Sequence, residues 1–392
     1  MKLEAVTWPR RAAWILLCAL VFSLPFEKGI QFSGLGTISR VLGQAAFIAG
    51  LSAAVLSGSI RRPNAALLLA AVFVAWEGLT WLWSYSRPAT AQRFLTLAQL
   101  LAMAWLIWEM CRTKAQTLRL VEAFVAGAAV SSGWTIARAF LNVQTHWKRF
   151  ATAGFDPNDL GVTLAIALAF SLYLSVRLHG WGAWLARLAA ALTIEAILLT
   201  ASRTALVAAL ANFLFAPLIW RRATPAQRVS TLVLLAALAL GPFRLAPQAA
   251  RARLATLPAE ATLGTMHDRT RIWKAGIQLF LRRPIAGVGF GAYPQAAYPI
   301  LRIHYNAHNT FLSVLVEAGM VGFVFWSALL GILIWYVRLL PSRERAFWIT
   351  ALAVWGVGVL AVAWEHRKPT WLIFALIMTA WAHAFRTEER EV

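Results

Sequence analysis

Residues 307–323 read AHNTFLSVLVEAGMVGF, a polar His–Asn pair running into an apolar stretch that holds two glycines. A neutral imidazole, with its ordinary pKa near ~6.5, can take a proton from a hydroxyl. Asn is a preferred helix N-cap, so His308 and Asn309 are expected at the mouth of a helix. The positive end of that helix favours anions and an uncharged imidazole. Gly319 follows His308 by eleven residues, about three helical turns, which puts it on nearly the same face. Leu312, Leu315 and Gly322 share the stripe. Small residues there let another helix approach closely. The pattern predicts an imidazole held rigidly above a packed seam, acting as a general base. A His that only caps the helix is the plainer reading.

Guanidinium groups supply the second chemistry. Arg203 sits in ASRTALVAAL, in a very short connection between apolar spans; Arg269 opens RTRIW; Arg149 lies in HWKRFATAGFDPND. Arg stays charged and grips phosphate through a planar fork. A pyrophosphate needs several such donors, and these three segments can offer them. Lipid headgroup contact is the alternative for each. In GFDPNDLG, Asp156, Asn158 or Asp159 is placed to cap the following helix. Asp156 or Asn158 could instead orient His308 or a sugar hydroxyl. Trp147 and Trp273 could stack on sugar faces or simply pack.

Other polar features carry less. Glu77, Glu122, Glu195 and Glu317 lie inside apolar spans, with Arg138 and Arg187 as basic counterparts. Glu317 is nine residues past His308, half a turn round, and is expected to face away. None is assigned to catalysis. Cys18 and Cys111 give no disulfide or metal framework. The GVGFG stretch at 287–291 lacks the strand and spacing of a nucleotide loop.

These residues must be positioned by membrane elements. The 392 residues are 60% hydrophobic, against ~45–50% for a soluble domain, and mean hydropathy is +0.64. Runs of ~20 apolar residues span a bilayer. The sequence predicts an all-α polytopic membrane protein with about twelve spans: 12–26, 38–57, 65–83, 92–110, 118–141, 159–176, 184–200, 204–220, 228–244, 309–337, 346–363 and 369–385. The basic, then apolar N-terminus is read as a retained first helix rather than a signal peptide. The expected organisation is a transmembrane part over 1–244, a loop with short helices over 245–306, and a transmembrane part over 307–392. In the loop, QAARARLATL and DRTRIWKAGIQLFLRR read as amphipathic helices, the second with Ile272, Ala275, Gly276 and Leu279 on one stripe. The net charge of +21 is scattered between the spans, which argues against nucleic acid. Lys and Arg in the short loops at 61–63, 111–114, 221–228 and 338–345 place those segments and both termini in the cytoplasm. Loop 245–306 then lies outside, Arg-rich and suited to anionic partners.

HNTFLSVLVEAGMVG resembles the His–Asn, nine residues, Gly–x–x–Gly pattern of the bacterial O-antigen ligase family. GFDPNDLG, ASRTAL, RTRIW and PIAGVGFGAY precede it in the family's order, so the resemblance runs over about 149–323. It implies a glycosyltransferase C-like helical bundle with a large periplasmic loop between spans 9 and 10. It implies an enzyme of the bacterial inner membrane, working at the periplasmic leaflet without metal, ATP or cofactor. The implied donor is an undecaprenyl-pyrophosphate-linked O-antigen, and the implied acceptor is the lipid A–core of lipopolysaccharide. By position the family's His falls on His308, and its two Arg sites fall on Arg203 and Arg269. Arg149, Asp156, Asn158, Trp273 and Asn309 are the expected substrate-binding residues, with Gly319 and Gly322 structural.

On that resemblance, Arg203 and Arg269 hold the leaving pyrophosphate. His308 deprotonates the acceptor hydroxyl, and attack opposite the leaving group inverts the anomeric centre. An O-antigen polymerase and a protein O-oligosaccharyltransferase share this logic. A polysaccharide transporter or flippase would instead show paired broken helices and internal symmetry, and the sequence displays neither.

Overall fold

The structure is a computed structural model, and it describes residues 2–145, 149–220, 224–225, 228–229 and 269–388. These residues form helices almost throughout. Their only strands are β1 (Gln31–Phe32) and β2 (Gly36–Thr37), a small antiparallel hairpin with Gln31 opposite Thr37.

The described residues fall into two compact units. The first draws on Met1–Ser59, Met110–Pro258 and Leu340–Gly358. It contains α1 (Lys2–Ser23), α2 (Ile38–Ser57), α5 (Lys114–Phe140), α6 (Pro157–Arg177), α7 (Gly180–Thr200), α8 (Arg203–Trp220) and α12 (Ser342–Val359). The second draws on Ile60–Glu109, Ala259–Leu339 and Val359–Val392. It contains α3 (Ala65–Leu79), α4 (Arg87–Met110), α9 (Arg269–Arg282), α10 (Tyr293–Leu301), α11 (Thr310–Arg338) and α13 (Lys368–Glu388).

Local chemistry sets where several helices begin. Thr113 and Gln116 form a reciprocal capping box at α5. Asn64 caps α3 by accepting from the Leu67 amide at 2.8 Å. Gly58, at φ +61°, ends α2 in the left-handed conformation.

In the first unit α6 is buried nearly all round. A helix apolar on every side belongs in the centre, and α5, α7 and α8 pack around it. Phe170 meets Phe124 and Phe347, and the Tyr173 and Phe347 rings stack at 4.0 Å. In the second unit α11 packs on α3, α9 and α13. Trp326, fully buried, lies between Phe73 and Phe374.

Eight described helices are long and apolar enough to cross a bilayer: those containing spans 1–7 and α11. Ile48, Val55, Leu95 and Val324 are largely exposed along them. Apolar side chains in both core and periphery suit a hydrocarbon surround. Helices α8, α12 and α13 fall on the other expected spans except 228–244, of which 230–244 lies outside the described residues, as does the QAARARLATL segment. Several boundaries differ from expectation by four residues or more. Helix α1 already runs from Lys2, and α12 ends at Val359, leaving 360–367 as a connecting segment.

Candidate functional site

In the first unit the expected residues gather around one connection. Asp156 caps α6, its carboxylate accepting from the Asn158 and Asp159 amides at 2.8 and 3.2 Å. Pro157 follows at the first helical position, where its missing N–H costs nothing. Asn158 Oδ1 accepts from Arg149 Nη2 at 3.0 Å, and Arg149 Nε donates to the Thr200 carbonyl at 2.6 Å. Arg149 is 4% exposed. Its guanidinium therefore works as a strut between the GFDPND turn and the end of α7. Both side chains named as substrate contacts, Arg149 and Asn158, are thus joined to each other, and Arg149 also to backbone. Asp156 takes the capping role over the orienting one.

The strut ends where Arg203 begins. Ala201 closes α7 in left-handed backbone, at φ +46°. Ser202 Oγ then accepts from the Ala205 amide at 3.3 Å. Two residues, Ala201 and Ser202, separate the two helices, and Arg203 lies half-buried at the first position of α8. A guanidinium at a helix N-terminus has the electrostatics of an anion contact.

The second unit holds the other candidates. Helix α9 buries Ile272, Ala275, Gly276 and Leu279, the stripe read from the sequence. Arg269, at its start, is half-buried, and burial pulls its pKa below the ordinary value; an Arg remains charged regardless. The Trp273 indole donates to the Ala307 carbonyl at 3.1 Å. That bond ties the half-buried ring to the segment carrying His308. His308 is half-buried at φ +50°, a left-handed conformation uncommon outside glycine. Asn309 caps α11 by accepting from the Leu312 amide at 2.9 Å, and its amide nitrogen donates to the Leu360 carbonyl at 3.1 Å.

Beyond the cap, the helix departs from the regular phase assumed for the His–Gly stripe. It breaks at Gly319, with φ +69° and ψ −171°, a region open essentially to glycine alone. The segment 284–291 lies along the break. Val288 and Gly289 amides donate to the Val316 and Glu317 carbonyls at 3.0 and 2.9 Å, and the Met320 amide donates to the Pro284 carbonyl at 2.8 Å. A Cβ on Gly319 would collide with the Ile285 carbonyl. Gly319 thus admits a crossing strand-like backbone, whereas Gly322 faces Trp76 of α3. Glu317, expected to face away, is 4% exposed. Its two oxygens accept from the Gly291 and Tyr293 amides at 2.9 and 3.1 Å. The GVGFG stretch is the backbone partner of this break.

The sequence places 360–363 in the expected span 346–363 and gives Glu365 and His366 no role. Segment 360–367 is tied to the first turns of α11: Thr310 Oγ1 donates to the Val362 carbonyl at 2.9 Å and accepts from the Trp364 amide at 2.8 Å. Ser313 Oγ donates to Glu365 Oε1 at 3.4 Å, and His366 Nδ1 meets the same oxygen at 2.9 Å. Burial, aided by Arg93, lowers the His366 pKa to about 4, so its imidazole is uncharged at neutral pH. Among the described residues no group of His, Cys, Asp and Glu is arranged to hold a metal ion.

Multiple apolar helices with polar groups drawn to helix mouths define a multi-pass α-helical membrane protein. Residues 188–327 match the family model described as O-antigen ligase. Over that segment the chain is similar to the O-antigen ligase family. No curated protein matches the chain. The matched segment contains Arg203, Arg269, Trp273, His308, Asn309, Gly319 and Gly322; Arg149, Asp156 and Asn158 precede it.

Proposed function

We propose that this protein is an O-antigen ligase, transferring glycan from an undecaprenyl-pyrophosphate carrier to the lipid A–core of lipopolysaccharide. His308 takes the proton of the acceptor hydroxyl as that oxygen attacks the anomeric carbon. Arg203 and Arg269 hold the pyrophosphate and stabilise the charge that develops as the glycosidic bond breaks. Attack opposite the leaving group inverts the centre. The pyrophosphate is already a good leaving group, so the reaction needs no metal or nucleotide. On this reading the whole bundle has about twelve spans in the bacterial inner membrane. The 245–306 segment is a periplasmic loop between the transmembrane parts 1–244 and 307–392. The glycan-bearing end of the donor projects into the periplasm while its polyprenyl tail stays among the helices.

The observation that carries this reading is the family match over a segment containing Arg203, Arg269 and His308. His308 within it stands at the capped mouth of α11 in sterically unusual backbone. Deleting the gene tests it. Loss of all capped lipopolysaccharide, with accumulation of long lipid-linked polymer, is the expected outcome. Lipopolysaccharide bearing single repeat units would indicate a polymerase instead. Normal lipopolysaccharide with an unglycosylated protein would indicate a protein O-oligosaccharyltransferase.

A further inference from the structure

The His308–Asn309 mouth of α11 does not stand alone. Asn309 and Thr310 donate to the Leu360 and Val362 carbonyls, and Thr310 accepts from the Trp364 amide, which fastens that backbone to it. The same segment is pinned on its other side, where the Trp371 indole donates to the Glu365 carbonyl at 2.8 Å. Held between these points are Glu365, its side chain 1% exposed, and His366, its side chain 11% exposed. Glu365 Oε2 is buried without a hydrogen-bond partner. A buried carboxylate oxygen lacking a donor costs free energy until one arrives.

We propose that Glu365 and His366 form a second substrate contact of this protein, a carboxylate-held imidazole that accepts a hydrogen bond from a sugar hydroxyl. The proposal rests on the glycan-transfer reading given above. His366 binds the sugar, and Glu365 is a positioning residue. The chemistry of the pair selects this ligand. A carboxylate at Nδ1 makes that nitrogen the N–H donor, which leaves Nε2 with its lone pair. Both remaining sites, Nε2 and Glu365 Oε2, are acceptors. The Nε2 lone pair takes the proton of a hydroxyl, whereas an ionised phosphate brings no proton to it and would address Arg93 and Arg367, which also act on the imidazole. The low proton affinity of His366 keeps Nε2 an acceptor throughout the neutral range.

The test is steady-state kinetics on the full chain reconstituted in liposomes, with purified undecaprenyl-pyrophosphate-linked glycan and lipid A–core. His366→Ala should raise the KM of one substrate about tenfold, the worth of a hydrogen bond in a desolvated site, and leave the other KM unchanged. A shift in the acceptor KM places the hydroxyl on the core sugar; a shift in the donor KM places it on the transferred glycan. His366→Gln should recover most of the loss through its side-chain carbonyl, whereas His366→Phe, which keeps the ring's bulk, should not. Glu365→Gln should raise the same KM by a smaller factor by relaxing the imidazole tautomer. Core acceptors lacking single hydroxyls provide a second measurement on the wild type alone: one of them, or the matching donor analogue, should lose affinity about tenfold. Unchanged KM values in both His366→Ala and His366→Phe overturn the proposal while leaving the transferase reading intact. A wild-type protein that transfers no glycan at all overturns both.

Discussion

Each candidate side chain is defined by what already occupies it. His308 and Arg203 stand half-buried at the starts of helices, and Arg149 bridges the Thr200 carbonyl and the Asn158 side chain. Their substitutions should therefore fail in different ways. His308→Ala should abolish transfer in vitro while lipid-linked donor still binds; substantial residual turnover would remove His308 as the base. Arg203→Ala and Arg269→Ala should weaken donor engagement, with Lys restoring it only partly because it lacks the planar fork. Arg149→Leu should instead lower stability, by about 2–3 kcal/mol, since one buried and one half-buried acceptor lose charge-assisted donors. Thermal unfolding in detergent reads that loss, and a normal melting temperature with defective donor binding would return Arg149 to the substrate-contact role. The sequence identified these arginines because residue type announces charge. It did not separate strut from ligand, because the partners of Arg149 lie 9 and 51 residues away.

Elements show the same division between local and distant causes. The caps at Asp156 and Asn309 and the apolar stripe of α9 depend on neighbours within a few residues, and they were legible in the sequence. The break of α11 at Gly319 was not, because it exists only where the 284–291 backbone supplies hydrogen bonds that the helix gives up. Glu317 follows from that break: its carboxylate satisfies the Gly291 and Tyr293 amides, which no count of helical turns could anticipate. Helix α11 also contains its own control. Gly319→Ala should destabilise by about 1–3 kcal/mol from backbone strain, and by more from the collision with Ile285. Gly331→Ala, a helical position with open space around its Cβ, should be neutral or stabilising by up to about 1 kcal/mol. Equal effects of the two changes on the melting temperature would refute a functional break. Glu317→Ala should cost about 1–3 kcal/mol for each amide left unsatisfied.

For the whole molecule, charge distribution is the governing quantity. A net +21 is unusual for a chain that is 60% hydrophobic, and the placement of the charge decides its meaning. Short basic loops at 61–63 and 338–345 obey the preference of Lys and Arg for the cytoplasmic side. On the proposed topology that preference puts the His308 mouth on the opposite face, where a lipid-linked glycan would be presented. Single cysteines in a background lacking Cys18 and Cys111 make this measurable. Arg302, His304 and Asn142 are exposed on segments expected outside, and Arg62 and Arg343 on segments expected inside. A membrane-impermeant thiol reagent added to spheroplasts should label His304→Cys and Asn142→Cys. It should reach Arg62→Cys and Arg343→Cys only after the membrane is permeabilised. The opposite pattern would put His308 on the cytoplasmic face, away from a periplasmic acceptor. A glycan ligase for lipopolysaccharide could not then use it as its base, however well the side chain is positioned.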